Sequence, residues 1–337
     1  MKEDMFAISV AVVGVVLAIF YISSFRSRKH LPPPKILQDK KWGTHNYVTL
    51  QESGIKMHYV ESGDSSKPLI LFLHGFPEFW YSWRHQLAYF SQNYWCVAPD
   101  LRGYGDTDKP KGVKHYNLNL LVNDVRDLLN ALGKPSCILV AHDWGGAIGY
   151  SFCYKYPDRV ETYIALNTIH SEAWVQQLWK STKQLIASWY IFVFQIPYLP
   201  EMRLAVFCRH VFASLFGTFS SPEDLEAYRY TFQDMETWNC GINYYRALIR
   251  ASIMRKLKSL FFAYDESDDK ERKIIVPVLC LFGNRDKYLL QDTILAGKDF
   301  CRDFKAVPMD GVHHFSNGEA PDLVNKYITA HLQRMGL

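Results

Sequence analysis

The hydrophobic residues of this chain follow two patterns that alternate along most of its length. Short apolar runs typical of buried parallel strands include Leu69–Leu73 and residues 136–141 and 276–282. Between such runs the apolar residues recur at helical spacing, as in residues 116–132, which end at Gly133. The alternation predicts an α/β fold with a mostly parallel sheet and helices on both faces. The remaining predicted strands are residues 47–51, 55–61, 95–98, 164–166 and 304–307.

A long region breaks this alternation. Residues 169–270 are rich in aromatic residues and helix formers and contain no convincing strand. We expect them to form a helical cap over the carboxyl edge of the sheet, the edge at which such folds place their active sites. The predicted organisation is an N-terminal membrane anchor, a first part of the core, the cap and a second part of the core, over residues 1–30, 31–168, 169–270 and 271–337.

The N-terminal segment is apolar enough to cross a bilayer. Residues 5–25 contain no charged side chain, and this length is sufficient for one transmembrane helix. Because Arg26, Arg28 and Lys29 follow the segment and acidic residues precede it, the positive-inside rule places the rest of the chain in the cytoplasm. A cleaved signal peptide is the alternative, although no small-residue cleavage site follows. We expect a single-pass protein of the endoplasmic reticulum membrane that faces the cytoplasm.

Composition excludes some classes of function. The net charge of +4 is too small, and the basic residues are too dispersed, to indicate a nucleic-acid partner. The seven cysteines are scattered, and several lie in apolar runs. They indicate buried free thiols in a reducing compartment rather than a disulfide framework or a zinc site, so we expect no bound metal.

The candidate chemistry centres on the residues that follow the predicted strand 136–141. Residues 142–146 read HDWGG, and a helical segment then runs from Ala147 towards Tyr156. A strand, a sharp turn with small neighbours and a helix form the context of a nucleophile elbow, whose central residue is usually serine. The central residue here is Asp143.

An aspartate at this position changes the reaction that is expected. A serine attacking an alkyl carbon would form an ether, which water does not readily cleave. A carboxylate attacking the same carbon forms an ester, which a histidine-activated water can open at the carbonyl. Asp143 therefore indicates substitution at a saturated carbon, unless it serves only to cap the following helix.

Three further motifs follow predicted strands and reach the same edge. Residues 74–78 read HGFPE and offer the backbone N–H of Phe76, which together with that of Trp144 is suited to form an oxyanion hole. The GNRD sequence ends at Asp286, a candidate acid, and the GVHHF sequence supplies His313 and His314 as candidate bases. The order nucleophile, acid, histidine is that of α/β hydrolases. The structural alternatives are a tight turn at the first motif and an exposed turn aspartate at the second.

Together these motifs resemble one enzyme family. The stretches HGFPEFWYSWRHQ, DLRGYGDTDKP, HDWGG and GNRD, with the C-terminal H-x-F sequence, are similar to those of epoxide hydrolases of the α/β-hydrolase superfamily. The resemblance runs from Trp42 to the C-terminus. With the apolar N-terminal segment, it is strongest to the membrane-anchored epoxide hydrolases of animals. The DLRGYG stretch is interpreted as a structural turn without a catalytic role.

The resemblance implies roles for further residues. Two tyrosines of the cap are expected to donate hydrogen bonds to the epoxide oxygen: Tyr190, shortly before an FQIP sequence, and Tyr245, within an NYYR sequence. Ordinary packing in the cap is the alternative for both. The family spacing to Pro321 favours His314 over His313 as the base. Glu78 resembles a glutamate that helps to position water. The chain departs from the family at residues 316–318, SNG, where glutamine and acidic residues are commoner.

The sequence thus predicts an enzyme that converts a lipophilic epoxide, such as a fatty-acid epoxide, and water into a vicinal diol. Asp143 would form the alkyl ester, and His314, oriented by Asp286, would activate the water. The reaction needs no metal and no organic cofactor. A haloalkane-type dehalogenase, which shares the aspartate and the following tryptophan, is one alternative. A non-catalytic small-molecule receptor on the same fold is the other.

Overall fold

A computed structural model describes residues 32–261 and 273–337. Its eight strands form one sheet in the order β1-β2-β4-β3-β5-β6-β7-β8. β1 and β2 pair antiparallel, as do β2 and β4, and all other neighbours are parallel. The predicted mostly parallel sheet is therefore confirmed. The strands are β1 Thr44–Thr49, β2 Lys56–Ser62, β3 Leu69–Leu73, β4 Trp95–Pro99, β5 Cys137–His142, β6 Val160–Leu166, β7 Val278–Gly283 and β8 Phe304–Met309.

The helices fall into two groups, those that alternate with the strands and those in the long region between β6 and β7. Those outside the long region between β6 and β7 are α1 Arg84–Phe90, α2 Leu118–Ala131, α3 Asp143–Lys155, α11 Gln291–Leu295, α12 Ser316–Glu319 and α13 Pro321–Met335. Those between β6 and β7 are α4 Ser171–Lys180, α5 Thr182–Ala187, α6 Trp189–Val193, α7 Leu199–Val206, α8 Cys208–Phe216, α9 Pro222–Thr231 and α10 Met235–Phe261. Residues 171–261 are called the cap segment below.

The central strands are apolar because both of their faces are covered. Every residue of β3, β4, β5 and β7 is buried, as expected for parallel strands between two layers of helices. The edge strand β1 differs, because it pairs only with β2 and exposes polar side chains. It begins at Thr44, earlier than predicted, and the predicted strand residue Gln51 lies in the turn that Gly54 closes by donating to the carbonyl of Leu50 at 2.9 Å.

The register brings the ends of the central strands to one edge. Leu73 of β3 pairs with Ala141 of β5. His142, the last residue of β5, pairs with Leu166 of β6, which pairs in turn with Leu281 of β7. Because parallel strands end on the same side of a sheet, the loops that follow these strands meet there.

The cap segment lies against this edge. Tyr245 of α10 packs edge-on against Trp144, with the ring centroids 5.0 Å apart, and Phe194 packs against Phe76 at 5.7 Å. Part of the predicted cap, residues 262–270, lies outside the described residues, and so does the predicted membrane span. Among the described residues, no helix combines the length and the apolar character that crossing a bilayer requires.

The close approach of α3 to β3 yields a test of the fold. An alanine Cβ at position 145 would lie 2.3 Å from the carbonyl oxygen of Leu73 and 2.6 Å from that of His74. We expect Gly145→Ala to lower the free energy of unfolding by about 1–3 kcal/mol, as overpacking does, although alanine is the better helix former. Urea unfolding measures the difference.

Gly297→Ala is the matched control, because its Cβ would lie no closer than 3.6 Å to the hydroxyl oxygen of Tyr150. Equal unfolding midpoints for the two variants would contradict the close packing of the elbow.

Candidate active site

The elbow places Asp143 at a sharp turn between β5 and α3. Its φ angle is +49°, in the left-handed region that non-glycine residues rarely adopt. Its surroundings leave no room for larger neighbours: a Cβ on Gly75 would lie 2.4 Å from the Cβ of Asp143, and one on Gly146 would lie 2.2 Å from Thr168. The hydroxyl of Thr168 donates to the carbonyl oxygen of Asp143 at 2.7 Å. The turn therefore holds the carboxylate at the carboxyl edge of the sheet.

The Asp143 carboxylate has a different partner for each oxygen. The backbone N–H of Phe76 donates to Oδ1 at 2.8 Å, whereas Oδ2 lies 3.5 Å from Nε2 of His314. One of the two predicted oxyanion donors thus contacts the carboxylate directly. The indole of Trp144 packs edge-on against the rings of Tyr244 and Tyr245. The role of its backbone N–H stays a prediction.

The histidine that meets Asp143 is also held by a second carboxylate. Nδ1 of His314 lies 2.7 Å from Oδ2 of Asp286. His313 lies elsewhere: its ring is half-exposed and its Nδ1 lies 2.7 Å from Glu319. The structure therefore brings His314, and not its neighbour, between Asp286 and Asp143.

Asp286 is held in place by backbone groups of its own loop and by the side chain of a residue that directly follows β6. Its Oδ1 accepts from the backbone N–H groups of Tyr288 and Leu289 at 2.8 and 3.0 Å. The amide of Asn167 donates to Oδ2 at 2.8 Å. Burial would raise the pKa of Asp286, but His314 and these donors hold it below its ordinary value. The side chain therefore stays ionised and keeps the imidazole in one orientation.

The two carboxylates determine the charge of His314. Burial alone would lower the pKa of this imidazole, but Asp286 and then Asp143 raise it to about 10. At neutral pH, His314 is therefore protonated as long as Asp143 is ionised. Neutralising Asp143 removes one of the two causes of the raised pKa.

Glu78 is buried next to the elbow and is engaged by protein groups. Its Oε2 lies 2.6 Å from Nδ1 of His142 and accepts from the N–H of Gly75 at 3.1 Å. The amide of Asn317 donates to its Oε1 at 3.3 Å. Burial would raise the pKa of Glu78, but His142 and the N–H of Gly75 lower it to about 2. Nε2 of His142 lies 2.9 Å from the carbonyl oxygen of His314, so Glu78 and His142 connect the first loop to the histidine loop.

The two cap tyrosines lie together above the elbow. The ring centroids of Tyr190 and Tyr245 are 5.8 Å apart, and Tyr245 also contacts Phe76 at 5.5 Å. Burial raises the pKa of both phenols well above that of free tyrosine, and the nearby Asp143 carboxylate raises it further. Both side chains are therefore protonated donors near neutral pH.

Some residues of the site were not predicted from the sequence. Asn167 and Thr168 follow β6 without a recognisable motif, yet they contact Asp286 and Asp143. His142 lies inside the elbow motif, where its contact with Glu78 was not evident. Asn317 falls within the stretch that departs from the family and contacts Glu78. In the part of the chain that the structure describes, no group of three or more histidine, cysteine, aspartate or glutamate side chains is arranged to hold a metal ion.

The fold and the site define an α/β hydrolase whose elbow carries a carboxylate. The family model for the alpha/beta hydrolase fold matches residues 68–320. The chain is 35% identical to human epoxide hydrolase 4 over 321 residues, which cover 92% of this chain and 84% of the relative. Epoxide hydrolase 3 of Xenopus tropicalis is 34% identical over 318 residues, covering 91% and 83%.

Solved structures give the same result. An epoxide hydrolase of Bacillus megaterium in complex with an inhibitor superposes with a TM-score of 0.72 at 28% identity, over 86% of this chain and 100% of that chain. An epoxide hydrolase of Vigna radiata superposes with a TM-score of 0.73 at 29% identity, over 88% and 99%. The chain therefore belongs to the epoxide hydrolase family of α/β hydrolases, which confirms the resemblance seen in its motifs.

The pKa of His314 provides a test of the charge arrangement. We expect Asp143→Asn to lower this pKa from about 10, because one carboxylate is lost while burial still favours the neutral ring. The raised pKa also makes the stability of the folded protein depend on pH. A raised pKa in the folded state stabilises the protein below about pH 6.5, and the stabilisation is lost as the pH rises towards 10.

A pH titration of ¹⁵N-labelled imidazoles by NMR measures the pKa. Asp292→Asn, which replaces an exposed acid on α11, is the control. A His314 pKa that is equal in the Asp143→Asn and wild-type proteins would show that Asp143 does not act on the ring.

Proposed function

We propose that the protein is an epoxide hydrolase that converts lipophilic epoxides to vicinal diols through an alkyl-enzyme ester on Asp143. The contact of the elbow carboxylate with His314, which Asp286 holds from its other side, carries the proposal. A carboxylate in this place forms an ester with an alkyl carbon, and a histidine beside it can activate the water that opens the ester. The membership of the chain in the epoxide hydrolase family supports the same function.

The first step is attack of Asp143 on one epoxide carbon. The carbon–oxygen bond of the ring breaks as the ester bond forms, and the leaving oxygen takes a proton from a cap tyrosine. A phenol suits this role because it stays protonated at neutral pH, and an unperturbed phenol is more acidic than the alcohol that forms. The position of Tyr190 and Tyr245 close to the Asp143 carboxylate supports this assignment.

The second step is hydrolysis of the ester. Esterification removes the negative charge of Asp143 and so lowers the proton affinity of His314. The imidazolium then gives up its proton, which restores the hydroxyl of the cap tyrosine that was deprotonated in the first step. The neutral imidazole can now accept a proton from water. The hydroxide adds to the carbonyl carbon of Asp143. The N–H of Phe76, which already contacts Oδ1, and the N–H of Trp144 stabilise the resulting oxyanion. Collapse releases the diol, whose alkoxide takes the proton from His314, and leaves Asp143 as a neutral carboxyl group. Transfer of this carboxyl proton to His314 restores the carboxylate and the protonated imidazole. Neither step requires a cofactor.

Glu78 acts in this scheme by holding the two loops on either side of the carboxylate. It contacts Gly75, next to the oxyanion donor Phe76, and His142, which contacts the backbone of His314. We assign it a positioning role for these groups and for the attacking water.

A mostly apolar cavity next to Trp144 supports a lipophilic substrate. A cavity of about 260 Å³ lies beside Trp144 between the core and the cap segment. Apolar and aromatic side chains dominate its lining, among them Tyr116, Val175, Tyr244, Ala247 and Leu248. Such a lining favours an apolar chain attached to the reacting group, as in a fatty-acid epoxide.

Attachment to a membrane belongs to the same proposal. Residues 5–25 are uncharged, and basic residues follow them, so we propose a single-pass anchor in the endoplasmic reticulum with the catalytic part facing the cytoplasm. An anchor of this kind keeps the enzyme where lipophilic epoxides dissolve.

The cap tyrosines provide the test that separates an epoxide hydrolase from a dehalogenase. We expect Tyr190→Phe and Tyr245→Phe each to slow alkylation by an epoxide by roughly ten- to a thousandfold, because the leaving oxygen loses an acid. A halide leaves without a proton, so alkylation by a haloalkane would lose little. Pre-steady-state rates of ester formation are measured with both substrates.

Tyr230→Phe is the matched control, because Tyr230 lies on α9 of the cap segment and does not line the cavity beside Trp144. Wild-type rates in both single variants would remove these tyrosines from the mechanism. Halide release by the double variant, together with no activity of the wild type on epoxides, would favour the dehalogenase.

A further inference from the structure

Two short helices of the cap segment, α5 and α6, expose several apolar side chains, although polar side chains are buried beside them. Gln184 and Ser188 are buried. On the opposite face Ile186, Trp189 and Phe192 are exposed, with exposed fractions of 71%, 60% and 47%. For α5 this is the reverse of the pattern that a surface helix of a soluble protein shows, whereas α6 also buries the apolar Ile191.

Hydrogen bonds fix this orientation. The amide of Gln184 donates to the carbonyl oxygen of Tyr288 at 2.7 Å and to the hydroxyl of Ser188 at 3.0 Å. Its Oε1 accepts from the N–H of Leu290 at 3.0 Å. Turning the helix to bury the apolar side chains would leave these polar groups without partners, at a cost in free energy. The outward apolar face is therefore built into the fold.

The exposed apolar face continues into the next turn of the chain. Ile196, Tyr198 and Leu199 are also exposed, Tyr198 by 73%. We call the six residues Ile186, Trp189, Phe192, Ile196, Tyr198 and Leu199 the apolar cap surface. Exposed apolar residues concentrated in so short a stretch mark a surface that contacts a partner or a membrane.

The charges around this surface are basic. Lys180, Lys183 and Arg203 are exposed at its borders. Between residues 173 and 222 the sequence contains one acidic residue, Glu201, and it is buried in an ion pair with Arg246 at 2.6 Å. Tryptophan, tyrosine and aliphatic side chains with a basic border suit the interface of an anionic bilayer.

The start of the described chain also contacts the cap segment. The short 3₁₀ turn Lys35–Gln38 packs against α9 of the cap segment. The uncharged residues 5–25 precede it in the sequence, and the six residues 26–31 between this segment and the described fold span at most about 20 Å. A bilayer that holds residues 5–25 is therefore within reach of the cap segment.

We propose that the apolar cap surface lies in the headgroup region of the same anionic bilayer and forms a second membrane contact. The proposal rests on the membrane attachment proposed above. Helix α6 would then face lipid with Trp189 and Phe192, while Tyr190 between them packs against Tyr245 at the site. A lipophilic epoxide would pass from the membrane to the elbow along the cap segment without crossing water.

Photolabelling from lipid tests this contact in the full-length protein. The protein is reconstituted in vesicles of phosphatidylcholine and phosphatidylserine that contain a lipid with a diazirine in its acyl chain. Trypsin then releases residues 184–203, which contain the whole apolar cap surface, residues 3–26 from the anchor, and residues 327–334 from core helix α13. We expect peptides 184–203 and 3–26 to carry about tenfold more label than peptide 327–334.

A variant with Ile186→Glu, Trp189→Glu and Phe192→Glu should lose the label on peptide 184–203 and keep it on peptide 3–26. Tyr89→Glu, at a half-exposed position on α1, should retain both labels. In the wild type, label on peptide 3–26 alone would overturn the proposed second contact but would still support the anchor. The apolar cap surface would then be covered by something other than lipid, such as residues 1–31 or a second copy of the chain. Absence of label from both peptides would overturn the membrane attachment as well.

Discussion

The backbone turn at Asp143 is the constraint on which the rest of the site depends. A left-handed conformation at a non-glycine residue costs free energy and persists only where the surrounding structure enforces it. Here the enforcement comes from three glycines, because Gly75, Gly145 and Gly146 allow β3, α3 and the Thr168 side chain to approach within distances that no Cβ would permit. The gain from this strain is a carboxylate held at the sheet edge with one oxygen on a backbone N–H and the other near a histidine.

The charges around that carboxylate are balanced by pairing. His314 lies between Asp143 and Asp286, and Glu78 pairs with His142. Buried charges are tolerated only when they are paired in this way. In the proposed mechanism this pairing also times the proton transfers, because esterification of Asp143 would remove one negative charge and lower the proton affinity of His314 at the step that requires a base.

The sequence predicted those parts of the molecule that depend on local pattern. The buried strands β3 and β5 follow from continuous apolar runs, and the elbow follows from small residues around Asp143. The choice between His313 and His314 required the family spacing, because adjacent side chains point in different directions and only the fold decides which one meets Asp286. The contact between Glu78 and His142 joins residues far apart in sequence, so no local sequence pattern predicts it.

The outward apolar face of the cap segment escaped prediction for a related reason. Residues 184–199 are aromatic and apolar, which is typical of packing inside a cap. The structure instead buries Gln184 and exposes Trp189, because the partners of the glutamine lie in the loop after β7. A surface of this kind becomes visible only when the distant hydrogen-bond partners are known.

The central claim is that an oxygen of Asp143 is transferred to the product. A single turnover with excess enzyme in H₂¹⁸O tests it directly, with mass spectrometry of the diol and of the peptide that contains Asp143. Because ester hydrolysis occurs at the carbonyl carbon, the diol of the first turnover should contain no ¹⁸O, and the Asp143 carboxylate should gain one ¹⁸O atom. A diol that carries ¹⁸O from the first turnover, with an unlabelled Asp143, would show that water attacks the epoxide directly and would contradict the account.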